Sequence, residues 1–313
     1  MEQCRITNGN SEKNNGRIRW LDAWKGFAML LVVLGHIADG YLDAGLFDTH
    51  SNILQTVYDV IYSFHMPLFF VLSGYAFYIA YAKKREEKKI KFYAQLWNIV
   101  WVYVLFSIIQ WVFKMLFAAQ VNSTYTLTDL LMIPVKTMAP YWYLYVLVFL
   151  YLIAWAAEKG KQPEFIKVIF FLGISFLSEL VSNGIFFEIK RILYYSVFFY
   201  LGIYFAKSAA PVLKEKTTTF CELYRKIPKT GILRFIGNYS MEIYVMHCFI
   251  TAANRMLLLK LGITNFYFNV IVNLLMATFL PVLAAVVLKK WKLHGWIFCP
   301  ATTLYQKINR KNR

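Results

Sequence analysis

Apolar runs close to the length of a bilayer crossing recur along most of this chain, and its lysines and arginines are gathered between them. That pattern leaves one broad solution. About 20 apolar residues cross the hydrocarbon as a helix, and a backbone inside lipid must satisfy its own hydrogen bonds. Only 16% of the 313 residues are charged and 59% are hydrophobic, whereas ordinary soluble domains carry roughly 25% charge. The formal charge of +17 would suggest a nucleic-acid partner in a soluble protein. Here the basic clusters lie between apolar runs, so no nucleic acid is expected and the clusters instead write the orientation of the spans.

Eight spans are expected, at 21–41, 66–82, 93–117, 141–157, 166–182, 189–206, 239–259 and 267–288. Setting lysine and arginine on alternate sides puts 28 on one face and six on the other. A split that uneven predicts an all-α polytopic membrane protein with both termini in the cytoplasm. Residues 1–16 then form a polar cytoplasmic tail, 17–292 a single membrane-embedded domain and 293–313 a basic cytoplasmic tail. The first apolar run ends in His36, Asp39 and Asp43 rather than small residues, which predicts an uncleaved signal-anchor. Residues 52–64 read as an interfacial helix that His65 and Pro67 separate from the second span. The four cysteines show no metal-ligand spacing and no disulfide framework, so neither a metal site nor a bridge is expected.

The most informative stretch runs from Arg19 to Gly40. It is unbroken apolar from Gly26 to Leu34, with Asp22 and Lys25 before it and His36 and Asp39 after it. Eleven residues separate Lys25 from His36, almost a whole number of turns at 3.6 residues each, so the two share a face about 16 Å apart along the axis. Asp22 and Asp39 fall near the same stripe. A helix in lipid tolerates such a stripe only where it faces protein or a wet cavity. Lys25 reads either as a snorkelling anchor or, with Arg17 and Arg19, as a phosphate-binding group. His36 lies in the outer half of the bilayer and His65 at a similar depth on the returning span. Two imidazoles there could share one site, or each could bond a backbone carbonyl.

Other candidates are weaker. Ser240, Tyr244, His247, Thr251 and Asn254 recur at three- and four-residue steps and so line one face of span seven. They serve a substrate or simply helix–helix hydrogen bonding. Arg191 opens span six from outside, where it could bind an anionic acceptor or anchor the helix. Asn122-Ser123-Thr124 fits a glycosylation triplet, and the basic loop 83–91 is mainly orientation signal.

Four segments together resemble the acyltransferase-3 family of integral membrane O-acyltransferases, in particular its fucose 4-O-acetylase-like branch. They are Lys25 with His36, Ser63-Phe-His-Met-Pro-Leu-Phe-Phe-Val-Leu-Ser-Gly-Tyr75, Phe198-Phe-Tyr-Leu-Gly-Ile-Tyr204 and Tyr239-Ser-Met-Glu-Ile-Tyr-Val-Met-His247. The resemblance covers roughly residues 17 to 288. It departs from the family in showing eight spans rather than about ten, and in a loop after span two that is lysine-rich and lacks proline. The resemblance implies transfer of an acetyl or similar short acyl group from acyl-CoA to a hydroxyl of a cell-surface glycan or its lipid-linked precursor. It places Lys25 in the donor site and His36 in catalysis.

The expected protein is therefore a multi-pass O-acetyltransferase of the cell membrane. Its catalytic histidines are His36 and His65, and its donor contacts are Lys25, Arg19 and Arg17. Its acceptor contacts are Arg191, Asp39, His247 and Tyr244. Acetyl-CoA is the donor and no bound cofactor is expected. The rival expectation is a transporter or flippase for a lipid-linked sugar, in which the same stripes conduct protons or substrate.

Overall fold

Each of the eight expected spans overlaps a helix in the computed structural model of the protein, which describes residues 19–82, 85–116, 126–160, 162–181, 187–215 and 231–311. In chain order the helices are α1 (Arg19–Asp43), α2 (Ser51–Ala80), α3 (Arg85–Leu116), α4 (Leu127–Leu131), α5 (Trp142–Ala157) and α6 (Glu164–Leu177). They continue as α7 (Phe187–Glu215), α8 (Gly231–Asn238), α9 (Ser240–Lys260), α10 (Phe266–Lys290), α11 (His294–Phe298) and α12 (Pro300–Lys311). No strand occurs among the described residues. Among the described residues, four helices are both long and apolar enough to cross a bilayer: α1, α2 with the turn before it, α3 and α10.

Local sequence sets where several helices stop. The amide of Leu46 bonds the Tyr41 carbonyl and that of Ile263 bonds the Leu258 carbonyl, each at 3.0 Å. Both closures pass through a left-handed glycine, Gly45 (φ 58°) and Gly262 (φ 71°), so α1 and α9 end in the same glycine-dependent wrap. At its start α4 is closed by a reciprocal pair, with Thr126 and Asp129 each bonding the other's backbone N–H, which satisfies two orphan donors at once.

Small residues decide which helices touch. A Cβ added to Gly74 on α2 would overlap the Phe199 carbonyl of α7, and one on Gly202 of α7 would overlap the Val71 carbonyl of α2. The same reciprocity joins Gly26 of α1 to the Leu233 carbonyl of α8, and Gly237 of α8 to the Asp22 carbonyl of α1. Lipid is as apolar as leucine, so helices associate by close packing rather than by hydrophobic burial, and backbone-to-backbone approach of this kind holds them together. Aromatic rings fill the space between α2, α3, α5 and α7: Phe77 packs against Phe92, Tyr151 and Phe199, and Phe92 stacks on Trp155 at 4.1 Å. Apolar side chains left exposed on the long helices, including Trp97, Ile109, Ile271 and Leu283, are the lipid-facing surface.

Buried charges occur in satisfied groups. Lys207 bonds Glu164 at 2.6 Å, Lys167 lies within 3.4 Å of both Glu158 and Glu164, and the Tyr200 hydroxyl donates to Glu158 at 2.6 Å. This network ties the connection between α5 and α6 to α7. His294 meets the buried Glu242 of α9 at 2.7 Å, and Asn98 of α3 bonds both Thr302 and the Ala301 amide. Residues 294–311, expected as a basic tail, thus fold as α11 and α12 against α3 and α9.

Two sequence expectations are corrected. No break separates 52–64 from the second span: α2 is one helix from Ser51 to Ala80 with Pro67 inside it. Pro67 forfeits one backbone bond, the one to the Ser63 carbonyl, but its flanks carry helix-compatible apolar residues and the helix continues through it. Cys299 is disulfide-bonded, against the expectation of no bridge. Arg17 and the glycosylation triplet at 122–124 lie outside the described residues.

Candidate active site

The site is built where α1 runs alongside α8 and α9. Gly26 contacts Gly237, His36 contacts His247 and Gly40 contacts Arg255, so residue numbers on both strips rise together and the helices are parallel. The stripe on α1 faces inward as the spacing required. Asp22 is buried, Lys25 is half-buried and lines an internal cavity, and His36 lines two others.

His36 keeps a quarter of its side chain exposed. Its nearest imidazole is His247, with ring centroids 5.0 Å apart. His247 is fully buried, and its Nδ1 lies 2.7 Å from the Tyr244 carbonyl and 3.1 Å from the Ile243 carbonyl. A carbonyl only accepts, so Nδ1 carries the proton and Nε2 keeps its lone pair. Nε2 lies 3.3 Å from the Cys248 sulfur. On the other side of His36, the Tyr62 hydroxyl stands 3.3 Å from Nδ1. Asp39, one turn on, lies 3.9 Å from the same nitrogen. That is too long for a hydrogen bond.

His65 does not touch His36 directly; Tyr62 stands between them, at 6.1 Å from the His36 ring and 4.8 Å from the His65 ring. Both histidines line one cavity. Tyr244 donates its hydroxyl to the Pro140 carbonyl and Tyr141 donates to the Val245 carbonyl at 3.0 Å, pinning the segment before α5 to α9. Arg191 lies over the rings of Trp142 (4.5 Å) and Phe187 (4.2 Å) and bonds Glu188 at 3.0 Å. Arg19 opens α1, and its side chain is outside the described residues.

Three cavities meet around these groups. A narrow track of about 40 Å³ runs from Lys25 past Ser73, Tyr143 and Ser240 to Val32, Met66 and Tyr244. The last three also line a chamber of about 400 Å³ that holds His36, Tyr62, His65, Trp142, Lys190 and Arg191. A second chamber, of about 230 Å³, is lined by His36, Asp39, Asp43, Gln110, Lys114 and Arg255. His36 and Pro140 are lining residues common to both chambers. His36 thus lies one turn after Val32, which lines both the narrow cavity and the larger chamber, and His36 itself lines both chambers.

Sequence reasoning had picked out Lys25, His36, His65, Asp39, Arg191, Tyr244 and His247, and all of them line this connected set of cavities or touch a residue that does. It had missed Tyr62, Cys248, Lys114 and Arg255. Tyr62 precedes His65 by three residues on the same face, and Cys248 adjoins His247, but neither spacing signals chemistry by itself.

No curated protein and no solved structure matches the chain. The acyltransferase domain family of type 3 matches residues 18–220, well over half of the chain and the part that carries Lys25, His36, His65 and Arg191. On that match, the chain belongs to the acyltransferase-3 family, and its function is of the membrane acyltransferase kind.

Proposed function

We propose that the protein is a multi-pass O-acyltransferase of the cell membrane with both termini in the cytoplasm, transferring acetyl from acetyl-CoA to a hydroxyl of a cell-surface glycan or its lipid-linked precursor. The observation that carries this reading is that Val32, Met66 and Tyr244 line both the narrow cavity that reaches Lys25 and the larger chamber that holds His36. A phosphate-bearing donor suits the lysine end, and a thin, flexible, mostly apolar arm suits the track. An acceptor rich in hydroxyls suits chambers lined by aromatic rings, carboxylates and amides. The resemblance to the fucose 4-O-acetylase-like branch supports acetyl as the group and a sugar as the acceptor.

In this reading the neutral His36 ring takes the proton of the acceptor hydroxyl as its oxygen attacks the thioester carbonyl. The new C–O bond forms, the C–S bond breaks, and the imidazolium returns its proton to the departing CoA thiolate. Asp39 favours the transient imidazolium and Tyr62 orients the ring. General-base catalysis of this type contributes about 10²–10⁴-fold.

Mass spectrometry of surface glycans tests the proposal in cells carrying the parent gene, no gene, or the His36→Ala variant. The parent adds one acetyl mass per site, and both other strains lose it. His36→Asn, which cannot take a proton at neutral pH, is nearly as inactive. Acetylation within a few-fold of the parent in His36→Ala, at matched abundance in the membrane, would sink the assignment of the base.

A further inference from the structure

Cys248 has no part in the chemistry above, yet it stands at its centre. One ring nitrogen of His36, one of His247 and the Cys248 sulfur all lie within 4.8 Å of one another. The sequence concealed this group. His247 and Cys248 are adjacent rather than spaced as ligand pairs usually are, and His36 comes from the opposite end of the chain.

We propose that His36, His247 and Cys248 form a binding site for a borderline-soft divalent cation of the zinc class, and that the cation, when bound, shuts off His36. The donor set is two imidazoles and a thiol, which selects zinc-like ions over magnesium or calcium. A tetrahedral zinc site has Zn–S near 2.3 Å and Zn–N near 2.0–2.1 Å, which places its ligand atoms roughly 3.3–3.7 Å apart. The 3.3 Å between Cys248 Sγ and His247 Nε2 already meets that spacing. The remaining closure falls to His36, which borders open space on two sides.

The surroundings favour occupancy. The backbone carbonyls that hold His247 Nδ1–H leave Nε2 free and fix the ring, which is how metal-ligating histidines are commonly oriented. Cys248 and His36 both line the smaller chamber, whose carboxylates Asp39 and Asp43 face Lys114 and Arg255. An incoming cation thus meets carboxylates beside the site and no excess of positive charge. Binding ionises the Cys248 thiol, whose proton leaves to water in the chamber. Three protein ligands leave a fourth position for water. The lone pair that His36 gives to the metal is then withdrawn from any acceptor hydroxyl. The binding half of this proposal stands alone; the inhibition half rests on the proposed function.

The binding half is read on the purified full-length protein in detergent, titrated with Co²⁺ as a spectroscopic probe. One equivalent of Co²⁺ should raise a near-ultraviolet thiolate-to-cobalt band that Zn²⁺ then abolishes by displacement. Cys248→Ser should remove the band, and His247→Gln should weaken Zn²⁺ binding by about tenfold or more. Absence of the band at saturating Co²⁺, or its persistence in Cys248→Ser, would overturn the site. Should Cys248→Ser fail to fold, His247→Gln decides alone: affinity equal to the parent's overturns the proposal.

The inhibition half is read as acyl transfer in isolated membranes. Zn²⁺ should inhibit the parent reversibly, with recovery on adding a chelator. In Cys248→Ser the inhibiting concentration should rise by about tenfold or more, measured against that variant's own metal-free rate. Activity that rises with Zn²⁺ would overturn the inhibitory role. A Co²⁺ band with no acyl product at any metal concentration would uphold the site and sink the acyltransferase reading instead.

Discussion

At the scale of the residue, Lys25 is the sharpest case of a placement legible from spacing. Its eleven-residue separation from His36 predicted a shared face, and the two line neighbouring cavities that have Val32, Met66 and Tyr244 in common. If Lys25 holds donor phosphate equally in ground and transition states, its loss raises KM and leaves kcat nearly unchanged. Lys25→Ala should then raise KM for acetyl-CoA by about tenfold, the equivalent of one charged hydrogen bond of about 1.5 kcal/mol, and Lys25→Arg should do so less. Steady-state kinetics on proteoliposomes checks this, and an unchanged KM in Lys25→Ala would make the lysine a membrane anchor only. Other residues were not legible in this way. Tyr62 and Cys248 acquire meaning only from the ring beside them, and that neighbourhood arises from contacts between helices rather than from any local period. His247 was visible as part of a polar stripe, but nothing in that stripe says that it faces His36.

The same limit shows at the scale of the element. Apolar length located every long helix, because in lipid the backbone has no other way to satisfy itself, although it began α3 eight residues late and ended α7 nine residues early. It misjudged α2, where a proline was taken as a boundary. In the interior of the bundle the lost bond at Pro67 is tolerated, because side chains and neighbouring helices take up freed groups. Pairing of helices was less legible than their positions: four glycines choose the partners, and glycine alone does not say which carbonyl it will meet. Gly74→Ala should force α2 from α7 and destabilise the protein by about 1–3 kcal/mol, the usual cost of overpacking. Thermal unfolding in detergent reads this as a lowered midpoint, whereas Gly173→Ala, where nothing lies within 4 Å, should leave the midpoint in place. A midpoint for Gly74→Ala equal to the parent's would show that the helix contact is looser than the backbone approach implies.

At the scale of the whole molecule, charge sets the expected orientation. With 28 lysines and arginines on one face and six on the other, a reporter active only in the cytosol should work when fused after Lys89 or at the C-terminus. It should fail when fused near Asp48. Activity at Asp48 would reverse the topology and with it the separation of donor and acceptor sides.

The parallel pairing of α1 with α8 and α9 also has a consequence in time. His36 is made before His247, which follows 211 positions later by their numbers. At about 5–20 residues per second of synthesis, the first histidine waits roughly ten to forty seconds for its partner. Late in that wait, once residue 220 has been made, the nascent chain holds Lys25, His36 and the whole of the family-matched segment, yet the wall that α9 provides is missing. If the proposed chemistry needs that wall, it is withheld until α9 has been made, and a chain halted before then lacks His247 and Cys248.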